Sequence, residues 1–291
     1  MFAEMLQFFF SGLTVGSTYA LAALGFTIIY NASGVINFAQ GEFIMLGGMA
    51  AVFLAGLGLP LPIAILAAVV VAALAGFLVT KLAIEPAGNG EVVQLIIITI
   101  GVSLIVRGLV QVTLGKGNHS LPSFSGDAPL HLLGATILPQ SLWVLGVTIV
   151  IVAVIGWFFS RTMMGKAMLA TSHDKLAAQL IGINTKVVLL LSFILAAILG
   201  AIGGILITPI STTSYDVGIM LGLKGFVAAI LGGLGSGSGA IVGGLLLGIA
   251  EAMTAGYISS AYKDAMPFVL ILLLLFFRPS GLLGAKLTER V

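Results

Sequence analysis

Glu42, Arg107, Lys224 and Glu251 each interrupt an otherwise apolar segment of this 291-residue chain. A charge in such a run is costly unless paired or hydrated, so it marks an ion path, a gate or an internal ion pair. Glu42 lies in SGVINFAQGEF, residues 33–43, within about a helical turn of Asn37 and Gln40. Two readings stand side by side. In one, Asn37, Gln40 and Glu42 line a water-filled path or gate. In the other, Glu42 pairs with Arg107 and fixes helix register. Glu251, much farther along the chain, is a further candidate for the path. Lys224 begins its own apolar segment and is expected to snorkel to an interface.

The remaining reactive side chains form no constellation. His119, His131 and His173 have no partner at metal-ligand spacing. No Ser/His/Asp set shares a face, and no His-Glu-x-x-His motif occurs. There is no cysteine, hence no disulfide, thiolate metal site or cysteine nucleophile. Gly235-Ser-Gly237-Ser-Gly-Ala240 matches a relaxed dinucleotide pattern, but it lacks the preceding strand that would give the match meaning. No phosphate-binding G-x-x-x-x-G-K-[ST] motif is present. The expectation is a non-enzyme without metal or cofactor.

The elements that hold these residues are apolar helices. Hydrophobic residues make up 59% of the chain and charged ones 8%, far below the roughly one quarter typical of soluble domains. The apolar runs are continuous rather than alternating, which excludes a β-barrel. The expected fold is an all-α, polytopic membrane helix bundle of eight apolar blocks: 6–30, 36–58, 61–84, 92–114, 138–159, 187–209, 221–256 and 265–284. The first run continues to Tyr30 with no basic residue before Leu6, which argues against a cleaved signal peptide. The net charge of +2 points to no nucleic-acid partner, because the basic residues sort by loop as membrane topology requires.

Loop 160–186 carries Arg161, Lys166, Lys175 and Lys186, so the positive-inside rule puts it in the cytoplasm. Counting outward places 115–137, 210–220 and 257–265 outside and 85–91 inside. The tail with Arg278, Lys286 and Arg290 is then inside, and the N-terminus outside. Block 221–256 must begin and end on the external side. Its glycine-rich centre, LGGLGSGSGA at 231–240, splits it into two helices, 221–231 and 240–256. The turn, with Gly233, Gly235 and Gly237, is expected to meet Asn37–Glu42 near mid-membrane and complete the gate. Gly12/Gly16, Gly200/Gly204, Gly239/Gly243 and Gly244/Gly248 are small-xxx-small pairs that read as tight helix packing.

Residues 161–186 form a polar island. Thr171 three residues before Asp174 resembles a capping box, and Gly182 sits where a helix would stop. Between them Leu176, Ala177, Leu180 and Ile181 share one face of about ten helical residues. The expectation is a short capped helix that docks on a cytoplasmic partner. Asp174 and Lys175, with His173, would lie on the rim of that contact.

Several of these segments together resemble one family. GLTVGSTYALAALGFTIIY (12–30), SGVINFAQGEFIMLGG (33–48), GKAMLATSHDKLAAQLIGIN (165–184), MLGLKGFVAAILGGLGSGSGAIVGGLLLGIAEA (220–252) and PSGLLG (279–284) follow in the order found in LivH-type permeases. These are membrane subunits of bacterial ABC importers for branched-chain amino acids. The resemblance implies a single permease domain over 1–291, in the inner membrane, with cytoplasmic coupling loop 160–186. It implies a second permease subunit, two cytoplasmic ATP-binding subunits that supply hydrolysis, and an external solute-binding protein. In such permeases the loop carries Glu-Ala-Ala-x-x-x-Gly. Ala177, Ala178 and Gly182 match it here, with Leu176 in the place of the acid. Within the class, urea, amides or other amino acids are alternative substrates. A stand-alone secondary transporter using Glu42 or Glu251 as an ion site is the rival class, and a purely structural assembly subunit the third.

Overall fold

The computed structural model describes residues 2–88, 91–126, 128–132 and 134–284. Helix α1 (Phe2–Ser33) leads through an irregular segment to α2 (Gln40–Gly56). Helix α3 (Leu61–Val79) continues through a π-helical turn, Thr80–Ile84, into the short α4 (Glu85–Ala87), and α5 (Val92–Leu114) follows. Two short antiparallel strands, β1 (Leu130–Leu132) and β2 (Ala135–Ile137), pair Leu130 with Ile137 in the long loop. Then come α6 (Pro139–Arg161), α7 (Met163–His173), α8 (Lys175–Leu180) and α9 (Thr185–Ile207). The chain ends with α10 (Val217–Gly232), α11 (Gly237–Tyr257) and α12 (Met266–Phe277). Among the described residues six helices are long and apolar enough to cross a bilayer, and α2, α10 and α12 are shorter apolar helices. The protein is an all-α multi-pass membrane bundle, as the apolar blocks led us to expect.

Helix α1 is the axis of the bundle and is almost wholly buried from Thr14 to Ile29, packed by α9, α10 and α11. With no water to drive helices together in lipid, close backbone approach supplies the attraction. The glycine pairs do this work by meeting each other. A Cβ on Gly12 of α1 would stand 2.6 Å from Ile249 Cα and 2.9 Å from the Gly248 carbonyl of α11. One on Gly16 would stand 2.9 Å from the Gly244 carbonyl. Gly204 of α9 packs likewise on Ile44 of α2, and Gly243 of α11 on Ala228 and Gly232 of α10. Helices α5 and α6 are at the periphery, mostly exposed.

The loops sort to two ends. At one, the Thr136 amide donates to Gln7 Oε1 at 2.6 Å, and Phe8 meets Tyr257 edge-on at 5.3 Å. There His119 and Thr213 also exchange backbone bonds of 2.8 Å each. So the start of α1, loop 115–137, loop 210–216 and loop 258–265 share this distal end. The opposite, basic end carries loop 161–186 and Arg278. Lys286 and Arg290 lie outside the described residues. Helix α1 thus starts at the end expected to be external.

Candidate functional site

Residues 34–39 run without regular structure inside the bundle, where water cannot complete backbone hydrogen bonds. Side chains complete them instead. The Val35 amide donates to Ser33 Oγ at 3.1 Å, the Ala39 amide to Asn37 Oδ1 at 3.0 Å and the Phe38 amide to Thr99 Oγ1 at 3.2 Å. Gly34, at φ +72°, takes the backbone out of α1. Helix α2 therefore begins deep in the bundle. Gln40 donates from Nε2 to the Ala196 carbonyl of α9 at 3.0 Å and fills the space over Gly25. Gln40 and Asn37 brace this entry.

Glu42 is the third residue of α2, where the helix N-terminus favours a negative charge. Its Oε1 accepts from Ser103 Oγ at 2.8 Å and forms an ion pair with the Arg107 guanidinium, which also donates to Ser103 Oγ at 3.2 Å. Ser103 and Arg107 stand four apart on α5, so both reach the same carboxylate. The pairing reading of Glu42 is the one observed. Among the described residues, Glu42 Oε2 and Arg107 Nε are buried without a hydrogen-bond partner. Beside them is a cleft of ≈ 180 Å³ between α1, the start of α2, α5 and α10.

Glu251 belongs to a separate cluster. It accepts from Lys224 Nζ at 2.6 Å and from the Tyr19 hydroxyl at 2.8 Å. Lys224 Nζ also donates to Asp264 Oδ1 at 2.6 Å, and that bond holds the Asp264 carboxyl below its ordinary value. Lys224 is 5% exposed, so the expected snorkelling does not occur. Two carboxylates reach it inside the bundle, which removes the reason to extend outward.

The glycine turn also differs from expectation. Helix α10 runs through Gly232 and α11 starts at Gly237, so the break is four residues. Gly233 (φ +106°) and Gly235 (φ +91°) make the reversal, and Ser236 caps α11 by accepting from the Gly239 amide at 3.0 Å. Asn31 at the end of α1 donates to the Gly235 carbonyl at 3.0 Å. The Leu282 and Leu283 amides donate to the Leu231 and Gly232 carbonyls at 2.9 and 2.8 Å. These partners draw Gly233, Gly235 and Gly237 to the basic end, beside residues 280–284. The contacts of the turn are thus with the end of α1 and the C-terminal segment, where the carbonyls of Leu231 and Gly232 find their donors.

In the polar island, Thr171 lies within α7 and donates to the Ala167 carbonyl at 2.9 Å. The cap is Asp174 itself, whose Oδ1 accepts from the Leu176 and Ala177 amides at 2.9 Å each. The helix is therefore the six residues of α8, not ten. Gly182, at φ +90°, ends it. Ala178 is buried against the bundle, and Leu176, Leu180 and Ile181 are 70–84% exposed. Asp174, Lys175 and Ala177 are exposed beside them. Sequence reasoning missed Ser103, Tyr19, Asn31 and Asp264. Only Ser103 carried a signal, the four-residue spacing to Arg107.

Comparison with known proteins agrees with this architecture. Residues 8–275 match the family model described as branched-chain amino acid transport system / permease component. The chain is 35% identical to the high-affinity branched-chain amino acid transport system permease protein LivH of Escherichia coli (strain K12), over 100% of this chain and 99% of that one. It is also 35% identical to BraD of Pseudomonas aeruginosa, a permease protein of the same description, over 98% of each. Among solved structures, PsaBC from Streptococcus pneumoniae in complex with Fab superposes with a TM-score of 0.55 at 17% identity. That match covers 96% of this chain and 97% of that one, and it speaks for the fold alone. By its full-length likeness to LivH and BraD and by the family match, this chain belongs to the branched-chain amino acid transport system permease family.

Proposed function

We propose that this chain is the membrane subunit of an ATP-driven importer for branched-chain amino acids in the bacterial inner membrane. It forms one half of the translocation pathway as a single permease domain. A second permease subunit supplies the other half, two cytoplasmic ATP-binding subunits the energy, and an external binding protein the substrate. The observation that carries this reading is the likeness to LivH and BraD along the whole chain.

The outward face of α8 supports the coupling role. Leu176, Leu180 and Ile181 present an apolar patch on a short, capped, basic-end helix, rimmed by Asp174 and Lys175. Such a patch suits an apolar groove on an ATP-binding subunit. Ala177→Asp would bury an unpaired charge in that contact and is expected to abolish coupled uptake while the membrane bundle stays folded. Normal uptake by that variant, measured with labelled leucine in cells, would remove α8 from the coupling interface.

The test of the whole reading is purification of the tagged chain from its native membrane in mild detergent, with mass spectrometry of bound subunits. Recovery of nucleotide-binding subunits and a second permease, with ATP-dependent leucine uptake after reconstitution, is the expected result. Recovery of the chain alone, with ion-driven uptake, would replace it with the stand-alone carrier.

A further inference from the structure

The Glu42–Arg107 pair is built unlike a simple helix staple. Glu42 is 1% exposed, yet only one of its two carboxylate oxygens is used. The free oxygen, Oε2, lies against α10 beside Gly218, where an added Cβ would come within 3.1 Å of it. Arg107 also leaves Nε without an acceptor. Both residues line the ≈ 180 Å³ cleft, whose other walls are Phe26, Phe38, Ile100, Ile219, Leu223 and Phe226, with Ser103, Gly218 and Gly222 between them. A buried carboxylate oxygen with no donor is expensive unless something arrives to supply one.

We infer that this cleft is a transit site for a zwitterionic α-amino acid with an aliphatic side chain, held between Glu42 and Arg107. The inference rests on the import reading above and adds a site within the membrane subunit. The ligand's ammonium donates to Glu42 Oε2, which Gly218 of α10 covers in this structure and which α10 must uncover on binding, and its carboxylate accepts from the Arg107 guanidinium edge. Its side chain lies on the phenylalanine and aliphatic walls. The site's two charges are opposite and sum to zero, as do those of the ligand, so occupation adds no net charge to the low-dielectric interior. The volume is of the right order, since a dry cavity of about 150 Å³ already takes benzene. A larger groove of ≈ 720 Å³ between α2, α3 and α5 has apolar walls and one threonine, Thr113, and offers nothing to orient a zwitterion.

The native chain has no cysteine, so a single reporter reads the cleft directly. Ile219→Cys, in the complex with its partner subunits, would be labelled with a small water-soluble thiol reagent in membrane vesicles. Leucine at millimolar concentration is expected to slow labelling at least threefold. 4-Methylpentanoate, which lacks the ammonium, and isoamylamine, which lacks the carboxylate, are expected to slow it little. Adding Glu42→Gln to the reporter should remove the leucine protection. In the otherwise native chain that substitution should lower leucine uptake about tenfold, with the complex still assembled. No protection by leucine, equal protection by all three compounds, or uptake by Glu42→Gln equal to the native rate would each overturn the site. Failure of the native complex to import leucine at all would instead overturn the function on which the inference rests.

Discussion

Two charged clusters sit inside the same bundle, and they are finished differently. Around Lys224, both Glu251 oxygens have a donor, and the ammonium reaches a second carboxylate on Asp264. Tyr19, Lys224, Glu251 and Asp264 come from α1, α10, α11 and the loop before α12, so the cluster ties these elements together. Around Arg107, one carboxylate oxygen and one guanidinium nitrogen are buried without a partner among the described residues, in side chains that line a cleft. A closed cluster fixes geometry. An open one can exchange an internal partner for an external one. The contrast teaches that intramembrane charge by itself does not identify a pathway, because one buried pair can be fully bonded and another not.

The sharpest way to break this contrast is Lys224→Met. It strands Glu251 in the interior and is expected to cost about 3–5 kcal/mol, as removal of one partner from a buried pair does. Thermal unfolding of the purified complex should show it as a large fall in Tm. A Tm within a degree of native would mean the cluster is not structural. Replacing both partners, Lys224→Met with Glu251→Met, should recover most of that loss, because two apolar side chains leave no unpaired charge. A double variant as unstable as the single one would argue for a role beyond pairing.

On the open side, Ser103→Ala removes one hydrogen bond to Glu42, a loss of about 1.5–3 kcal/mol for a bond to a charged group. It should lower leucine uptake more than it lowers Tm, whereas the reverse order would make the Glu42 cluster a staple like the other. The smallest effect belongs to Asp264→Asn, at a half-exposed loop position, where such pairs contribute about 0–1 kcal/mol. Because Lys224 lowers the Asp264 value, this contribution is full above the ordinary carboxylate value of about 3.9 and fades as pH falls through the lowered one. A pH titration of Tm should therefore separate native and Asp264→Asn protein at neutral pH and bring them together in strong acid.

The legible parts were those with local causes. Continuous apolar runs mark their own helices, since each span must satisfy its backbone within itself. Gly12, Gly16, Gly244 and Gly248 announced close packing by spacing, and Gly182 announced a helix end. The cap was displaced by three residues because Thr171 and Asp174 are both competent caps. The α6–α7 turn starts α7 early enough to carry Thr171 inside it. What remained hidden depended on distant partners. Nothing near Lys224 in the chain says that Asp264, forty residues on, will reach it. Nothing near Gly233 says that residues 280–284 will cover it.

By itself, then, the amino-acid sequence determined that this is a bundle of membrane helices and which family it belongs to. Composition and the length of the apolar runs set the first, both properties of short stretches, and the order of several long motifs set the second. Tertiary structure alone decided which charges are quenched and which are left open. Hydrogen-bond satisfaction in a low-dielectric interior is settled by the few atoms that several helices bring together, not by any one of them.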